Sequence, residues 1–377
     1  MEENFYLEKL LELKNNFSLK IISGVRGVGK TTLLKNFAEK LRAEGVTEEE
    51  ILFIDCAGNG RLKNFQAFYE FVEARTSGSE KFYLLADDFD RVVEGEKAIN
   101  ALFVGSPAEI YVTVSSEVFA EKISALLLDN CDVLKIYPLS FAEYSKNFQS
   151  EDALQTYLHF GGLPETFGAN EKILPTLLRG LTCEIIFDII EKNSLQRAEF
   201  FRLLMENLAE DVGKPFRFNK LFERLKIYTN APITFRNYLS CGASLFQKIP
   251  RYDLKEEKIF PGGEKFYCVD NGILCALAPK IDETTLMENA VYVELLRRGF
   301  QVSSGKFGKM NLSFVATRDD KKIVIQVLPT SGISVRRATR PLRALPADVE
   351  KVLISLEREK NFGDVPNITL RDFLLNF

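Results

Sequence analysis

The sequence is short of the residues that most often carry proton transfer and transition-metal chemistry. Among its 377 residues there is one histidine, His159, and the six cysteines (Cys56, Cys131, Cys183, Cys241, Cys268 and Cys275) form no CxxC pair. A zinc site of the usual Cys/His kind is therefore not expected. A Ser–His–Asp or Cys–His mechanism would have to run through His159. That residue stands in TYLHFGGLP, a helix end before a turn, with no catalytic motif around it, and a structural role is expected. The cysteines read as buried small hydrophobes in a reducing compartment. No apolar run approaches the roughly 20 residues that span a bilayer. The segment MEENFYLEKLLELKNN is charged and acidic, without the basic start and apolar core of a secretory leader. The expectation is a cytoplasmic chain with no membrane partner. A basic excess is also missing, since the net charge is −4. The chain as a whole is not built to coat nucleic acid, although a local basic face is compatible with that charge.

What is present is a globular balance, 46% hydrophobic and 27% charged, in a chain long enough for two or three cores. The first third alternates short apolar runs (SLKIIS, ILFID, FYLLAD, EIYVTV, DVLKIY) with helical patterns such as Leu33, Leu34, Phe37, Ala38 and Leu41. Continuous apolar runs suit strands buried on both faces, and the rhythm predicts an α/β fold with a parallel sheet and covering helices. From Phe141 to Leu208 the pattern is mostly helical, interrupted at GGLPE (Gly161 to Glu165). Short helices and then strands are expected between Pro215 and Asp270. Beyond them comes a helix, MENAVYVELLRRGF, stopped at Gly299, with NLSFVAT, KIVIQVL and EKVLIS as strands around it.

One motif carries explicit chemistry. GVRGVGKTT, residues Gly24, Val25, Arg26, Gly27, Val28, Gly29, Lys30, Thr31 and Thr32, fits G-x-x-x-x-G-K-[ST] in full. Such a loop curls backbone N–H groups round phosphates and brings a lysine to them. It also places a hydroxyl on Mg²⁺ at the positive end of a helix. Lys30 and Thr31 fill those two positions, between a predicted strand and a predicted amphipathic helix, so ATP and Mg²⁺ are the expected ligands. FYLLADDFD supplies acids at the end of a buried strand. Asp87 is the expected second Mg²⁺ ligand, and Asp88 the candidate catalytic carboxylate beside Lys30. The bland alternative for this pair is a capped turn. EIYVTVSS ends in hydroxyls, and Thr113, Ser115 and Ser116 are candidates for sensing the terminal phosphate or for capping the strand end.

These residues resemble a specific group, the prokaryotic AAA-type P-loop ATPases that carry a winged helix and a C-terminal PD-(D/E)xK-nuclease-like domain. Beyond the P-loop, YPLSFAEY, GGLPE, ITFRNYLS, KFYCVDNGI and MENAV resemble family segments in the same order. The resemblance implies a P-loop domain over 1–146, a helical lid-like region over 147–212, a winged helix over 213–280 and a nuclease-like domain over 281–377. It also marks departures. Asp88 stands where the family has glutamate, a side chain shorter by ~1.5 Å. Asn130 stands where a Gly-Arg pair would put a plausible arginine finger. Ser313, Gln326 and Leu328 replace the aspartate, acid and lysine of the nuclease motif, leaving Glu288. The implied activity is slow, Mg²⁺-dependent ATP hydrolysis driving a switch, with no nuclease chemistry. Its alternatives are an ATP-gated binding protein without turnover and a winged-helix DNA binder. In the winged-helix stretch Lys220, Arg224, Lys226 and Arg236 invite a nucleic-acid reading, but a solvated face is the favoured one. A protein partner is expected and unidentified, and a homo-oligomer is compatible.

Overall fold

The computed structural model describes residues 5–16, 18–76, 81–128, 130–147, 152–330, 335–358 and 365–376. They divide into two compact units, residues 1–136 with 187–195, and residues 137–186 with 196–377. No helix among the described residues is long and apolar enough to cross a membrane.

The first unit opens with α1 (Phe5–Glu12), β1 (Leu19–Ser23), α2 (Lys30–Ala43), β2 (Ile51–Asp55) and α3 (Phe65–Thr76). It continues with β3 (Phe82–Asp87), α4 (Gly95–Gly105), β4 (Ala108–Val114), α5 (Glu117–Leu126) and β5 (Cys131–Lys135). The five strands form one sheet in the order β2-β3-β4-β1-β5, and every neighbouring pair is parallel. All residues of β1 and β3 are buried, as strands covered on both faces require. Helix α2 turns Leu33, Leu34, Phe37, Ala38 and Leu41 to the sheet, and the Phe37 ring sits 4.6 Å from that of Tyr111 on β4. On the other side Phe68, Phe82, Phe89, Ile99 and Leu102 join one core cluster with Leu84, Ile110 and Val112.

The second unit begins with α6 (Phe141–Asn147), α7 (Ala153–Phe160) and α8 (Leu174–Lys192), the last turn of which counts with the first unit. Then come α9 (Ala198–Glu210), α10 (Phe218–Leu225), α11 (Pro232–Cys241) and the hairpin of β6 (Phe246–Asp253) and β7 (Lys258–Cys268). The remainder is α12 (Asn271–Leu277), α13 (Glu283–Arg297), β8 (Gln301–Phe307), β9 (Met310–Arg318) and β10 (Lys321–Val327). It is completed by α14 (Val335–Ala338), α15 (Arg340–Arg343), β11 (Glu350–Ser355), β12 (Asn367–Thr369) and α16 (Leu370–Asn376). Its seven strands form one mixed sheet in the order β12-β11-β10-β9-β8-β6-β7, so the 246–268 hairpin and the later strands share a sheet. The hairpin joins through parallel pairing of Arg251–Asp253 with Ser304–Lys306. β8 has no apolar run to announce it. It becomes a strand because β9 and β6 satisfy its backbone on both sides.

The GGLPE turn is a packing device. Gly161 has φ +71°, and a Cβ there would lie 2.2 Å from Asp270 Oδ1; one on Gly162 would lie 2.3 Å from the Leu139 carbonyl. Asp270 is buried and accepts from the Gly162 N–H at 2.8 Å and the Ile273 N–H at 3.1 Å. Burial raises its carboxyl above the usual range, against the pull of those N–H groups. The GGLPE and DNG segments therefore close on one another through a single carboxylate, and PLSF joins them through the Leu139 N–H, which donates to the Gly162 carbonyl at 2.7 Å.

Candidate functional site

The carboxyl ends of β1, β3 and β4 lie along one edge of the parallel sheet, where open α/β sheets place their ligands. The chain leaves β1 into the glycine loop. Gly27 and Gly29 adopt φ +84° and +97°, left-handed values that favour glycine. Gly24 is enclosed, since a Cβ there would come within 2.5 Å of the Ile136 carbonyl. Val25 and Val28 are buried and fix the loop to the unit, whereas Thr31 and Thr32 are exposed at the start of α2. That helix end has no side-chain cap and no acid in its first turn. Its positive end and free N–H groups are thus open to an anion.

Lys30 folds back into the loop. Its buried ammonium donates to the Gly24 and Val25 carbonyls at 2.8 and 2.9 Å and to Ser115 Oγ at 3.1 Å. Burial, and then the charge of Lys192, pull it down from 10.5 to about 8.

β4 ties this loop to the acid pair on β3. Asp87 is buried, and its Oδ1 accepts from Thr113 Oγ1 at 2.6 Å. Thr113 Oγ1 in turn accepts from the Asp88 N–H at 2.8 Å. Asp88 has φ +50° and ψ +42°, a conformation that aspartate tolerates, and its side chain is 26% exposed. The three hydroxyls that are candidates for sensing phosphate or for capping the strand end divide by position. Thr113 holds Asp87, Ser115 faces Lys30, and Ser116 caps α5 by accepting from the Phe119 N–H at 3.2 Å. Thr31 and Asp87 are hard oxygen donors of the type that holds Mg²⁺ together with phosphate and water oxygens. No group of three or more His, Cys, Asp or Glu side chains among the described residues is arranged to hold a metal alone.

Four charged residues that the sequence did not single out complete the site. Asp90 is buried and accepts from the Ser115 and Ser116 N–H groups at 2.8 and 2.9 Å. Asp188, Arg91 and Lys192 join it, the first and last from the final turn of α8. Arg26 of the loop reaches Asp188 at 3.6 Å. Burial pulls the Lys192 ammonium down, but Asp90, Asp88 and Asp188 outweigh it and hold the ammonium above its usual range. Asp90 was visible as a third acid in ADDFD. Nothing local in IIEKNS announces Lys192. Asn130, which the sequence resemblance sets where the family has an arginine, donates its side-chain amide to the Leu127 carbonyl at 2.9 Å in a local turn.

The other candidates lie outside this site. Exposed His159 ends α7 with Nδ1 2.9 Å from the Gln155 carbonyl. Cys56 and Cys268 are buried, but Cys183 is exposed, so burial does not explain every cysteine. In the second unit Ser313 Oγ donates to Glu288 Oε1 at 2.8 Å, and Tyr267 OH donates to Oε2 at 3.1 Å. Leu328 is packed in the apolar cluster of Leu312, Val315, Val324 and Leu353. Of the basic residues between 215 and 270, Arg224 pairs with Asp211 at 2.9 Å, Lys226 pairs with Glu223, and Arg236 lies over the Phe218 ring at 4.3 Å.

A family model described as an AAA domain matches residues 16–145. An uncharacterized Haemophilus influenzae protein is 30% identical over 341 residues, covering 85% of this chain and 85% of its own. An uncharacterized Methanocaldococcus jannaschii protein is 25% identical over 313 residues, covering 77% of this chain and 69% of its own. Among solved structures, C. elegans PCH-2 is 19% identical with a TM-score of 0.26, over 49% of this chain and 54% of that one. A DNA polymerase III gamma-subunit-related protein of Thermotoga maritima is 12% identical with a TM-score of 0.32, over 62% of this chain and 97% of that one. The glycine loop and parallel sheet lie within the matched segment, which makes residues 16–145 an AAA domain and supports an ATPase-like nucleotide-binding protein, and the 30% identity over most of both chains places the whole chain in one family with the uncharacterized Haemophilus protein.

Proposed function

We propose that the chain binds ATP with Mg²⁺ at Gly24–Thr32 and hydrolyses it slowly, as a nucleotide-driven switch. The observation that carries the reading is the pair of links made by the end of β4. Ser115 is hydrogen-bonded to Lys30, and Thr113 to Asp87, so loop and acid pair form one constellation. In this reading the N–H groups at the start of α2 and the Lys30 ammonium bind the phosphates, and Thr31 and Asp87 hold Mg²⁺. The cation would neutralise charge that develops on the transferred phosphoryl group. Asp88 accepts the proton of the attacking water. Its missing methylene and the neutral Asn130 are the reasons for slow turnover: a misplacement of about 1 Å can cost ~100-fold, and an arginine finger is worth about 10³ to 10⁵. A cation supplied by a partner or by a second copy would raise the rate.

A second reading, ATP-gated binding without turnover, is favoured by the same two departures. Steady-state phosphate release measured beside equilibrium ATP binding separates them. Lys30→Ala is the control: losing a charged donor to the phosphates costs about 1.5–3 kcal/mol, or roughly 10- to 100-fold in affinity. Equal affinity of the wild type and Lys30→Ala would refute the site. The internal partners of Arg224, Lys226 and Arg236 weigh against a DNA-binding reading of residues 213–280.

A further inference from the structure

Lys192 is a buried cation for which a phosphate loop and an acid pair give no account. Its side chain is 3% exposed. Its ammonium lies 2.9 Å from Asp90 Oδ1, 3.1 Å from Asp188 Oδ2 and 3.5 Å from Asp88 Oδ1. At these distances charge ties the Lys192 ammonium to all three carboxylates. Three carboxylates so close to one another repel strongly unless a cation sits among them.

The three do not depend on Lys192 equally. Asp188 also has Arg91 and Arg26. Asp90 is fixed by two backbone N–H groups, those of Ser115 and Ser116. Asp88 is different. Thr113 pins its backbone, but among the described residues its carboxylate has a single ion-pair partner, Lys192. Thr113 therefore fixes where the Asp88 backbone lies, and Lys192 is the charge that bears on its carboxylate.

We propose that Lys192 is a positioning residue for hydrolysis, holding the Asp88 carboxylate where it meets the attacking water. The inference rests on the ATPase reading above. The last turn of α8 thereby sets the reach of the short acid on β3. Removing Lys192 leaves the phosphate contacts of Lys30 and the α2 N-terminus intact, so the loss falls on turnover and little on nucleotide binding.

The test uses the full chain, with initial rates of phosphate release over a range of Mg·ATP and equilibrium binding of a non-hydrolysable ATP analogue. Lys192→Met is expected to lower kcat roughly 30- to 100-fold, the scale of a 1 Å misplacement, with KM and analogue affinity within about fivefold of wild type. Lys192→Arg, which keeps the charge, recovers most of the rate. In an Asp88→Asn background Lys192→Met costs nothing more, because the group it positions is gone. Unchanged kcat, a loss that Lys192→Arg does not recover, or a full further loss in the Asp88→Asn background overturns the proposal. Should Lys192→Met not fold, Lys192→Gln with Asp90→Asn removes a cation and an anion together, and comparison with Asp90→Asn alone decides by the same criteria. A wild type that binds the analogue but releases no phosphate above the Lys30→Ala background refutes the ATPase reading and this inference together. A wild type that turns over beside an unaffected Lys192→Met refutes the inference alone.

Discussion

Thr113 Oγ1 donates to Asp87 at 2.6 Å and accepts from the Asp88 N–H at 2.8 Å. One hydroxyl at the end of β4 thus fixes both members of the acid pair on the neighbouring strand. Thr113 is fully buried, so neither bond is shared with solvent on its side.

Thr113→Val keeps the shape of the side chain and removes both bonds. The Asp88 N–H and the Asp87 carboxylate each lose a partner, and an unsatisfied buried group costs about 1–3 kcal/mol. Thermal unfolding of the nucleotide-free protein is expected to show that loss. The Mg²⁺ concentration needed for half-maximal phosphate release is expected to rise. An unchanged Mg²⁺ requirement would mean that Thr113 does not position a metal ligand.

The depressed Lys30 ammonium predicts a pH dependence of nucleotide binding. In the nucleotide-free protein it titrates at about 8, and bound phosphate favours its charged form. Below pH 8 the charge is present before and after binding, so affinity is flat on this account. Above it, binding must take up a proton, and affinity falls about tenfold per pH unit. Calorimetry near pH 9 in two buffers of different ionisation enthalpy should register that uptake. A flat affinity profile through pH 9 would reject it.

Asp88→Glu restores the missing methylene. Phosphate release is expected to rise about tenfold, equivalent to ~1.4 kcal/mol of barrier. A slower enzyme would show that the aspartate is already in place, with Lys192 set for the shorter side chain.

The purified chain is expected to leave DNA intact with Mg²⁺ or Mn²⁺. Glu288 is engaged by Ser313 and Tyr267, and Leu328, which the sequence resemblance aligns with a nuclease-motif lysine, is packed in an apolar core. Cleavage that persists through purification and vanishes in Glu288→Ala would overturn this.

Much of the first unit was legible in the chain. The runs ILFID and FYLLAD became β2 and β3 with their own bounds, and SLKIIS became β1 from Leu19; β1 and β3 are buried along their whole length, as strands inside a covered sheet are, whereas β2 at the sheet edge is buried only in part. The P-loop was equally plain, since a tight anion loop demands glycine, lysine and hydroxyl at fixed spacing within one segment. β8 and β12 were not legible: QVSSGKF has no apolar run, and NIT is three residues long. Their partners lie elsewhere in the chain, and pairing rather than propensity makes them strands. The same limit applies to the site. The sequence determined the glycine loop and the acid pair, but only tertiary structure decided that a lysine at position 192 would sit among Asp88, Asp90 and Asp188. Short-range spacing encodes a loop, whereas an ion cluster joining residues about a hundred positions apart exists only once the burial of other residues has brought them together.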